Sequence, residues 1–577
     1  MKVVCVGADP AALYLGILLK RKDRAHAVRF VAAESDTMSL PSAIVCNPLK
    51  RRLKLADAEV TAAANAEVTT FDRVEVSTGE HCFETRGLAY ASVRSAGLAD
   101  ALKRIATDVG CEFHHCALDA VPAEIEGADL IVVADHAASR VLADAPPAEA
   151  TSGTNLFLAF ESAKPRSALA YAFRPTPGGV MHAVAWPHAG GSTVIVEAPA
   201  QTIKANGLEH ANADAILAFC RKHFADAFEG VAPPAGCAWR PFVTVRHRHW
   251  HSGKTVVMGR AAYTSHFSVG LDVRSGFEDA EALAELLGTH ASVEDALKSF
   301  DAARRPKAES LQRASTASRQ WLEHVGTHIG MPFDQFMFSL LTANMRMTYA
   351  RIEKAAPELA RRVDALISPQ ADGSSNRPPP PMFAPITLRG LTIPNRVVVS
   401  PMCMYSAKDG TVNDWHLVHL GSRAVGGAGL VISEMTDVLP EGRISLHCAG
   451  MYAPEHVGAW KRVTDFIHEH SASKVAVQLA HAGRKGSLTR SWEGHKNLGE
   501  AANWEILAPS AIPFADGRQT PRAMNRVDMD KVRDAFARAA EMSDAAGFDM
   551  IELHFAHGYL ISSFISPAAN KRTDEYG

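Results

Sequence analysis

Four consecutive prolines, Pro378 to Pro381, follow the polar run Asp372-Gly-Ser-Ser-Asn-Arg377. Proline fixes φ and carries no amide hydrogen. The stretch therefore suits neither a helix nor a sheet interior and favours an extended, semi-rigid spacer. It divides a chain of 577 residues, too long for one hydrophobic core, into parts that fold separately. The expected boundaries are a first domain at 1–366, a linker at 367–381 and a second domain at 382–577.

Charge and composition exclude several classes. A net charge of −3 gives no electrostatic case for nucleic acid or an anionic membrane. No apolar run approaches the roughly 20 residues of a membrane helix. Nine cysteines, odd in number and scattered, do not make a disulfide framework, so a reducing cytoplasm is the expectation. Cys111-Glu-Phe-His-His-Cys116 lacks further ligands for a tetrahedral metal site and reads as a short strand; no metal is expected. Arg246-His-Arg-His-Trp-His251 reads as structural or substrate-facing.

The first domain opens as strand, glycine turn, helix, strand, acid. Lys2 to Val6 is a strand, Gly7-Ala-Asp-Pro-Ala-Ala12 a turn, Ala11 to Arg21 a helix, and Val28 to Ala33 a strand ending at Glu34. That is the order of a dinucleotide-binding βαβ unit, with pyrophosphate at the helix N-terminus and the acid on a ribose hydroxyl. Asp9 stands where a glycine would admit the pyrophosphate, adding bulk and the wrong charge. Asp129 to Arg140 reads as a strand running into a turn, Lys254 to Ala262 as a further strand and Phe277 to Leu287 as a helix; the alternation over Ala168 to Ala198 predicts an antiparallel substrate sheet.

With Trp239-Arg-Pro-Phe, Arg248-His-Trp-His251, Ser265-His-Phe-Ser-Val-Gly270 and the tail Gln335 to Tyr349, this order resembles the aromatic-hydroxylase family of FAD monooxygenases. The nearest likeness is to the bifunctional salicyloyl-CoA and 2-aminobenzoyl-CoA (anthraniloyl-CoA) monooxygenases. The resemblance implies a Rossmann-like FAD fold, with Gly7, Glu34, Arg94, Asp135 and Gly259 on the FAD. The departures fall on those contacts: Gly7-x-Asp9-x-x-Ala12 for Gly-x-Gly-x-x-Gly, Asp135-His136 for Asp-Gly, and Gly259-Arg260 for Gly-Asp. Two arrangements stay open. Asp9 and Arg260 face each other where pyrophosphate would lie, or Arg260 itself binds the pyrophosphate.

The second domain reads as repeated strand–helix units. Strands are expected at Arg396 to Met402, Gly429 to Met435, Lys474 to His481 and Asp549 to His554, with helices at Asp414 to Gly426, His456 to His470 and Met529 to Ala546. Chemistry collected at strand C-termini marks a partial (β/α)8 barrel. Met550-Ile-Glu-Leu-His-Phe-Ala-His-Gly-Tyr559 opens as a buried strand and ends in two donors and an acid. His554 and His557 can polarise one carbonyl oxygen while Tyr559 supplies a proton. The opposing reading of His-x-x-His is a core pair or a metal site.

Phe383-Ala-Pro-Ile, Pro394-Asn-Arg-Val, Met402-Cys-Met-Tyr405, Gln478 to Lys485 and Ser566-Pro…Asn570-Lys-Arg-Thr-Asp-Glu-Tyr576 resemble the Old Yellow Enzyme family of FMN-dependent ene-reductases. The resemblance implies FMN contacts at Ser400, Pro401, Met402, Cys403, Met435 and Gln478, with Cys403 tuning the flavin and Tyr405 lining the substrate site. It implies carbonyl binding by His554 and His557, protonation by Tyr559, and NAD(P)H as reductant. A full barrel takes about 250 residues, so the sequence is expected to be a piece of a longer protein that binds FMN poorly as it stands.

Together the likenesses imply a bifunctional aromatic acyl-CoA hydroxylase and ene-reductase. The alternatives are an FMN ene-reductase with a non-catalytic N-terminal binding domain, or an inactive fragment. The expected partner is a small aromatic or enone substrate, as a CoA thioester, with homo-oligomerisation left open.

Overall fold

The computed structural model describes residues 1–33, 40–46, 53–79, 81–134, 142, 144–231, 238–270, 272–367 and 380–577. The chain divides into two compact units, Met1–Val363 and Asp364–Gly577.

The first unit contains a parallel sheet. Its strands are β1 (Lys2–Val6), β2 (Ala27–Ala33), β3 (Glu112–Cys116), β4 (Leu130–Val133) and β5 (Thr255–Val257), in the order β3-β2-β1-β4-β5. A two-residue strand, His251–Ser252, adds antiparallel to β5. β1 and β4 are continuous apolar runs because a central parallel strand is covered on both faces. Helix α1 (Pro10–Lys22) starts with proline in its first turn, capped by Asp9, and ends in Lys20, Arg21 and Lys22 against the negative end of its dipole. It packs on α2 (Asp272–Thr289), where Tyr14 and Phe277 meet edge to face at 5.4 Å and the Tyr14 hydroxyl donates to Glu281 at 2.9 Å. The long helix α3 (Val293–Glu323) follows.

A second sheet of eight strands runs in the order 240–247, 148–162, 191–199, 179–188, 168–176, 68–77, 82–94, 42–46. All its neighbours are antiparallel except 68–77 with 168–176. The alternating stretch thus forms three of these strands. In the cysteine–histidine run, residues 112–116 pair with β2 as β3. In the histidine-rich run, His247 Nε2 is 2.9 Å from the Ala261 carbonyl oxygen, and Trp250 stacks on Tyr263 at 5.5 Å.

The second unit carries four parallel strands in chain order: β6 (Val398–Val399), β7 (Leu430–Asp437), β8 (Lys474–Ala480) and β9 (Met550–Leu553). Helices α4 (Asp414–Val425), α5 (Pro454–His470) and α6 (Arg526–Ala545) connect them. Parallel neighbours in sequence order, each pair joined through a helix, are the arrangement of part of a (β/α)8 barrel. Asn413 caps α4 in a reciprocal box with His416, and Asn525 does the same for α6 with Asp528. Buried Trp460 on α5 meets Phe548 at 5.4 Å and fastens the helices over the sheet.

Three expectations change. The strand expected over Arg396 to Met402 pairs only at Val398–Val399, because Pro394 and Pro401 bracket it and proline cannot donate to a ladder. The strand expected over Lys254 to Ala262 stops at Val257, and Gly259, at φ +57°, turns the chain. β9 is not buried: Ile551 is 39% and Leu553 50% exposed, because β9 has a neighbour on one side only among the described residues. Among the described residues no helix is long and apolar enough to cross a membrane.

Candidate active site

The candidate site of the second unit gathers at the C-terminal ends of its strands. After β9 the chain turns through His557, held at φ +58°, and Gly558, at φ +71°. Three contacts knit this loop to the end of β8. His554 N–H donates to the Leu479 carbonyl, Leu560 N–H to the His481 carbonyl, both at 3.0 Å, and Lys485 Nζ to the His557 carbonyl at 2.6 Å. Gly483 is required there, since a Cβ would come within 2.9 Å of the Leu560 backbone.

The loop brings His554, His557 and Tyr559 together. The ring centroids are 4.9 Å apart for His554–His557 and for His554–Tyr559, and 6.0 Å for His557–Tyr559. Ala556 N–H donates to His554 Nδ1 at 3.1 Å. Nδ1 is thus an acceptor, and a neutral His554 carries its proton on Nε2, 3.1 Å from His557 Nδ1. Burial and the neighbouring His557 hold the His554 pKa below its ordinary value, which favours this neutral form. The two rings are therefore donors in series, not the side-by-side pair expected, and His557 presents Nε2–H outward. Burial raises the Tyr559 phenol, with Cys403 and Tyr405 nearby adding to the effect, so the proton stays on its oxygen.

Cys403 packs with Tyr559 against the buried group Tyr405, Met435, Ile444, Cys448 and Ala480. Burial pushes the Cys403 thiol up to about 12, reinforced by the Glu434 carboxylate, so it is a neutral thiol. Tyr405 is also pushed up to about 12 by burial, sits at φ +49°, and meets Trp492 edge to face at 5.8 Å. Gln478 N–H donates to the Ser433 hydroxyl oxygen at 3.1 Å, and its side-chain amide donates to Glu552 at 2.6 Å. Glu434 accepts from Met404 N–H at 3.0 Å, which fixes the segment after β6 that carries Ser400, Pro401, Met402 and Cys403.

These groups suit the ring of a flavin. Its edge alternates donors and acceptors, and the Gln478 amide offers both while Cys403 offers a weak neutral donor. Ser400 and Met402 are exposed at the strand end, and Met435 is buried in the group that holds Cys403.

Sequence reasoning missed Asp437 at the end of β7. It is wholly buried, and neither carboxylate oxygen has a hydrogen-bond partner among the described residues. Burial raises its pKa well above the carboxylate range, with Arg443 pulling the other way, so it is a neutral acid. The available signal was an acid closing the run Leu430–Asp437, whose strand is buried throughout.

In the first unit the expected FAD-site residues are less complete. Gly7, at φ +97°, donates its N–H to the Val31 carbonyl at 2.8 Å and ends β1. Arg94 closes the strand Cys82–Arg94 and precedes the helix Ser95–Asp108. Gly259 lies in the turn after β5, and Glu34 and Asp135 lie outside the described residues. A cavity of about 70 Å³ lies elsewhere in this unit, with Tyr90, Tyr171, Ser268, Ser318, Arg346 and Arg351 among its lining. Behind it, Ser268 Oγ is 2.8 Å from His266 Nδ1, and His266 Nε2 is 3.6 Å from buried Glu197.

Residues 381–577 match the model of the NADH:flavin oxidoreductase / NADH oxidase family. The chain is 46% identical over 198 residues to an NADPH dehydrogenase of Geobacillus thermodenitrificans, covering 34% of this chain and 54% of that protein. It is 48% identical over 198 residues to an NADPH dehydrogenase of Bacillus cytotoxicus, covering 34% and 53%. Among solved structures, morphinone reductase is similar at 30% identity, with a TM-score of 0.30, over 34% of this chain and 53% of that one. The chain spans about half the length of the curated relatives it matches. Residues 381–577 thus form an NADH:flavin oxidoreductase-like FMN domain.

Proposed function

We propose that the C-terminal domain is an FMN-dependent ene-reductase that takes its electrons from NAD(P)H and reduces an α,β-unsaturated carbonyl compound. The observation that carries this reading is the convergence of His554, His557 and Tyr559 with Cys403 and Tyr405 at one end of the sheet. Reduced FMN, when bound, supplies the hydride for the β carbon. The protein's own groups do the rest. His557 Nε2–H draws charge from the carbonyl oxygen, and His554 Nε2–H, now spent on His557, turns to the same oxygen when substrate replaces that acceptor. Tyr559 holds a proton at its phenol oxygen for the α carbon. Tyr405 and Trp492 form an apolar, aromatic wall.

The test is NADPH oxidation with 2-cyclohexenone under nitrogen, with the product identified. One cyclohexanone formed per NADPH consumed is expected. NADPH consumed without cyclohexanone would sink the reading.

A second reading adds hydroxylation of an aromatic CoA thioester by the first unit, coupled to reduction by the second. The sheet order β3-β2-β1-β4-β5, beside a large antiparallel sheet, favours it. Oxygen uptake stimulated by 2-aminobenzoyl-CoA, with a hydroxylated product, tests it; its absence leaves the first unit, 1–366 as expected from sequence, as a binding domain. Its small cavity lined by aromatic and cationic residues suits that role. A cytoplasmic location goes with either reading.

A further inference from the structure

The sheet order of the first unit defines where a dinucleotide pyrophosphate would sit: outside the strand C-termini, against the N-terminus of α1. That place already holds an anion. Asp9 is the cap of α1; its Oδ1 accepts from Ala11 N–H at 2.9 Å, and its backbone carbonyl accepts from Leu13 N–H at 3.0 Å. The same carboxylate presses on the turn after β5. A Cβ built on Gly259 would lie 2.3 Å from Asp9 Oδ1 and 3.4 Å from the Ala11 side chain. The carboxylate therefore fills the gap between the helix N-terminus and the Gly259 backbone. Neighbouring packing keeps it there. Ala12 is wholly buried, and Gly276 on α2 approaches Ala11 so closely that a Cβ would be 3.0 Å away.

We infer that Asp9 is a built-in anion that closes the dinucleotide site of the first unit. It uses one of the helix N–H groups a pyrophosphate would take, offsets the positive end of the dipole, and repels a phosphate by charge. The residues present do not fit FAD at this point, and the first unit acts without a bound dinucleotide. This inference stands apart from the ene-reductase reading, which concerns the second unit, and counts against the hydroxylase reading, which needs FAD in the first.

The probes are ADP, which carries the pyrophosphate without a flavin ring, and FAD. Each is titrated calorimetrically into the protein as isolated and into Asp9→Gly and Asp9→Asn. The protein itself is expected to bind both probes too weakly to reach saturation. Asp9→Gly, which removes charge and bulk, is expected to bind ADP on the order of a hundredfold more tightly than the parent. Asp9→Asn keeps the cap without the charge and should fall between them. Circular dichroism shows whether each variant is folded. Stoichiometric FAD in the parent, lost in Arg260→Ala, would overturn the inference and make Arg260 the pyrophosphate ligand. A folded Asp9→Gly that still binds no ADP would overturn it as well, because something other than Asp9 would then close the site.

Discussion

His554 Nε2 lies 3.1 Å from His557 Nδ1, and the Ala556 amide, bonded to His554 Nδ1, fixes the direction of that bond. The pair is thus a short donor chain whose free end is His557 Nε2–H. A ligand oxygen meets that end first. His557→Ala should therefore weaken a phenolic ligand such as p-hydroxybenzaldehyde by roughly 10- to 100-fold, the worth of one strong hydrogen bond. Titration calorimetry of the flavin-loaded protein reads this directly. Unchanged affinity would place the oxygen elsewhere.

Cys403 should be a poor nucleophile despite its place beside the candidate flavin site. Burial pushes its thiol up to about 12, so little thiolate exists at neutral pH. Cys82, exposed in the first unit, is an internal standard. Brief iodoacetamide treatment followed by peptide mass spectrometry should label Cys82 first and leave Cys403 largely unmodified. Equal labelling would contradict the burial assigned to Cys403.

His481 makes stability depend on pH. Burial lowers its pKa from 6.5 to about 4, while its Nδ1 accepts from Gly483 N–H at 3.0 Å. The folded state thus keeps His481 neutral where the unfolded chain already takes a proton. Stability from this group is full above pH 6.5 and is lost as pH falls towards 4, by roughly 3 kcal/mol. His481→Gln, which keeps an acceptor and cannot titrate, should flatten the fall in Tm across that window. Parallel curves for parent and variant would count against a neutral His481.

Asp437 has the opposite dependence. Its folded pKa is raised, so the unfolded chain releases a proton that the folded one keeps, and stability falls as pH rises from the ordinary carboxylate value. Asp437→Asn should raise Tm, and raise it more at about pH 8 than at about pH 5. A variant less stable at the higher pH would mean the carboxylate is ionised and paired.

The strand and helix order was legible in the second unit and in the opening strand–helix–strand of the first, because apolar periodicity reports burial, whereas the first unit's strands at 42–46, 68–77, 82–94 and 148–162 were not expected from sequence. Leu430–Ile432 and Val475–Val477 are apolar runs opening buried strands, and the sequence shows them as such. Pairing was not legible. The sequence marks Val398 and Val399 no more strongly than their neighbours, and only prolines at 394 and 401 limit that strand. Ile551 and Leu553 look buried by type, but their exposure is decided by which neighbours β9 has. In the site, residue types were readable and bonding was not. The direction of the His554–His557 bond depends on a backbone amide two residues on, and the neutral state of Asp437 depends on burial that nothing in its local sequence specifies. Asp9 was readable as a misfit at a glycine position, but its role as a cap against Gly259 needed the fold.

The most direct test of the ene-reductase account isolates the proton transfer. The flavin-loaded protein is reduced anaerobically with one equivalent of NADPH, mixed with 2-cyclohexenone, and followed by stopped-flow absorbance, for the parent and for Tyr559→Phe. The account predicts unchanged reduction by NADPH in both, and reoxidation by the enone about 100-fold slower or more in the variant, the usual worth of a positioned acid. Equal reoxidation rates would remove Tyr559 as the proton donor, and no reoxidation in the parent would contradict the proposed activity itself.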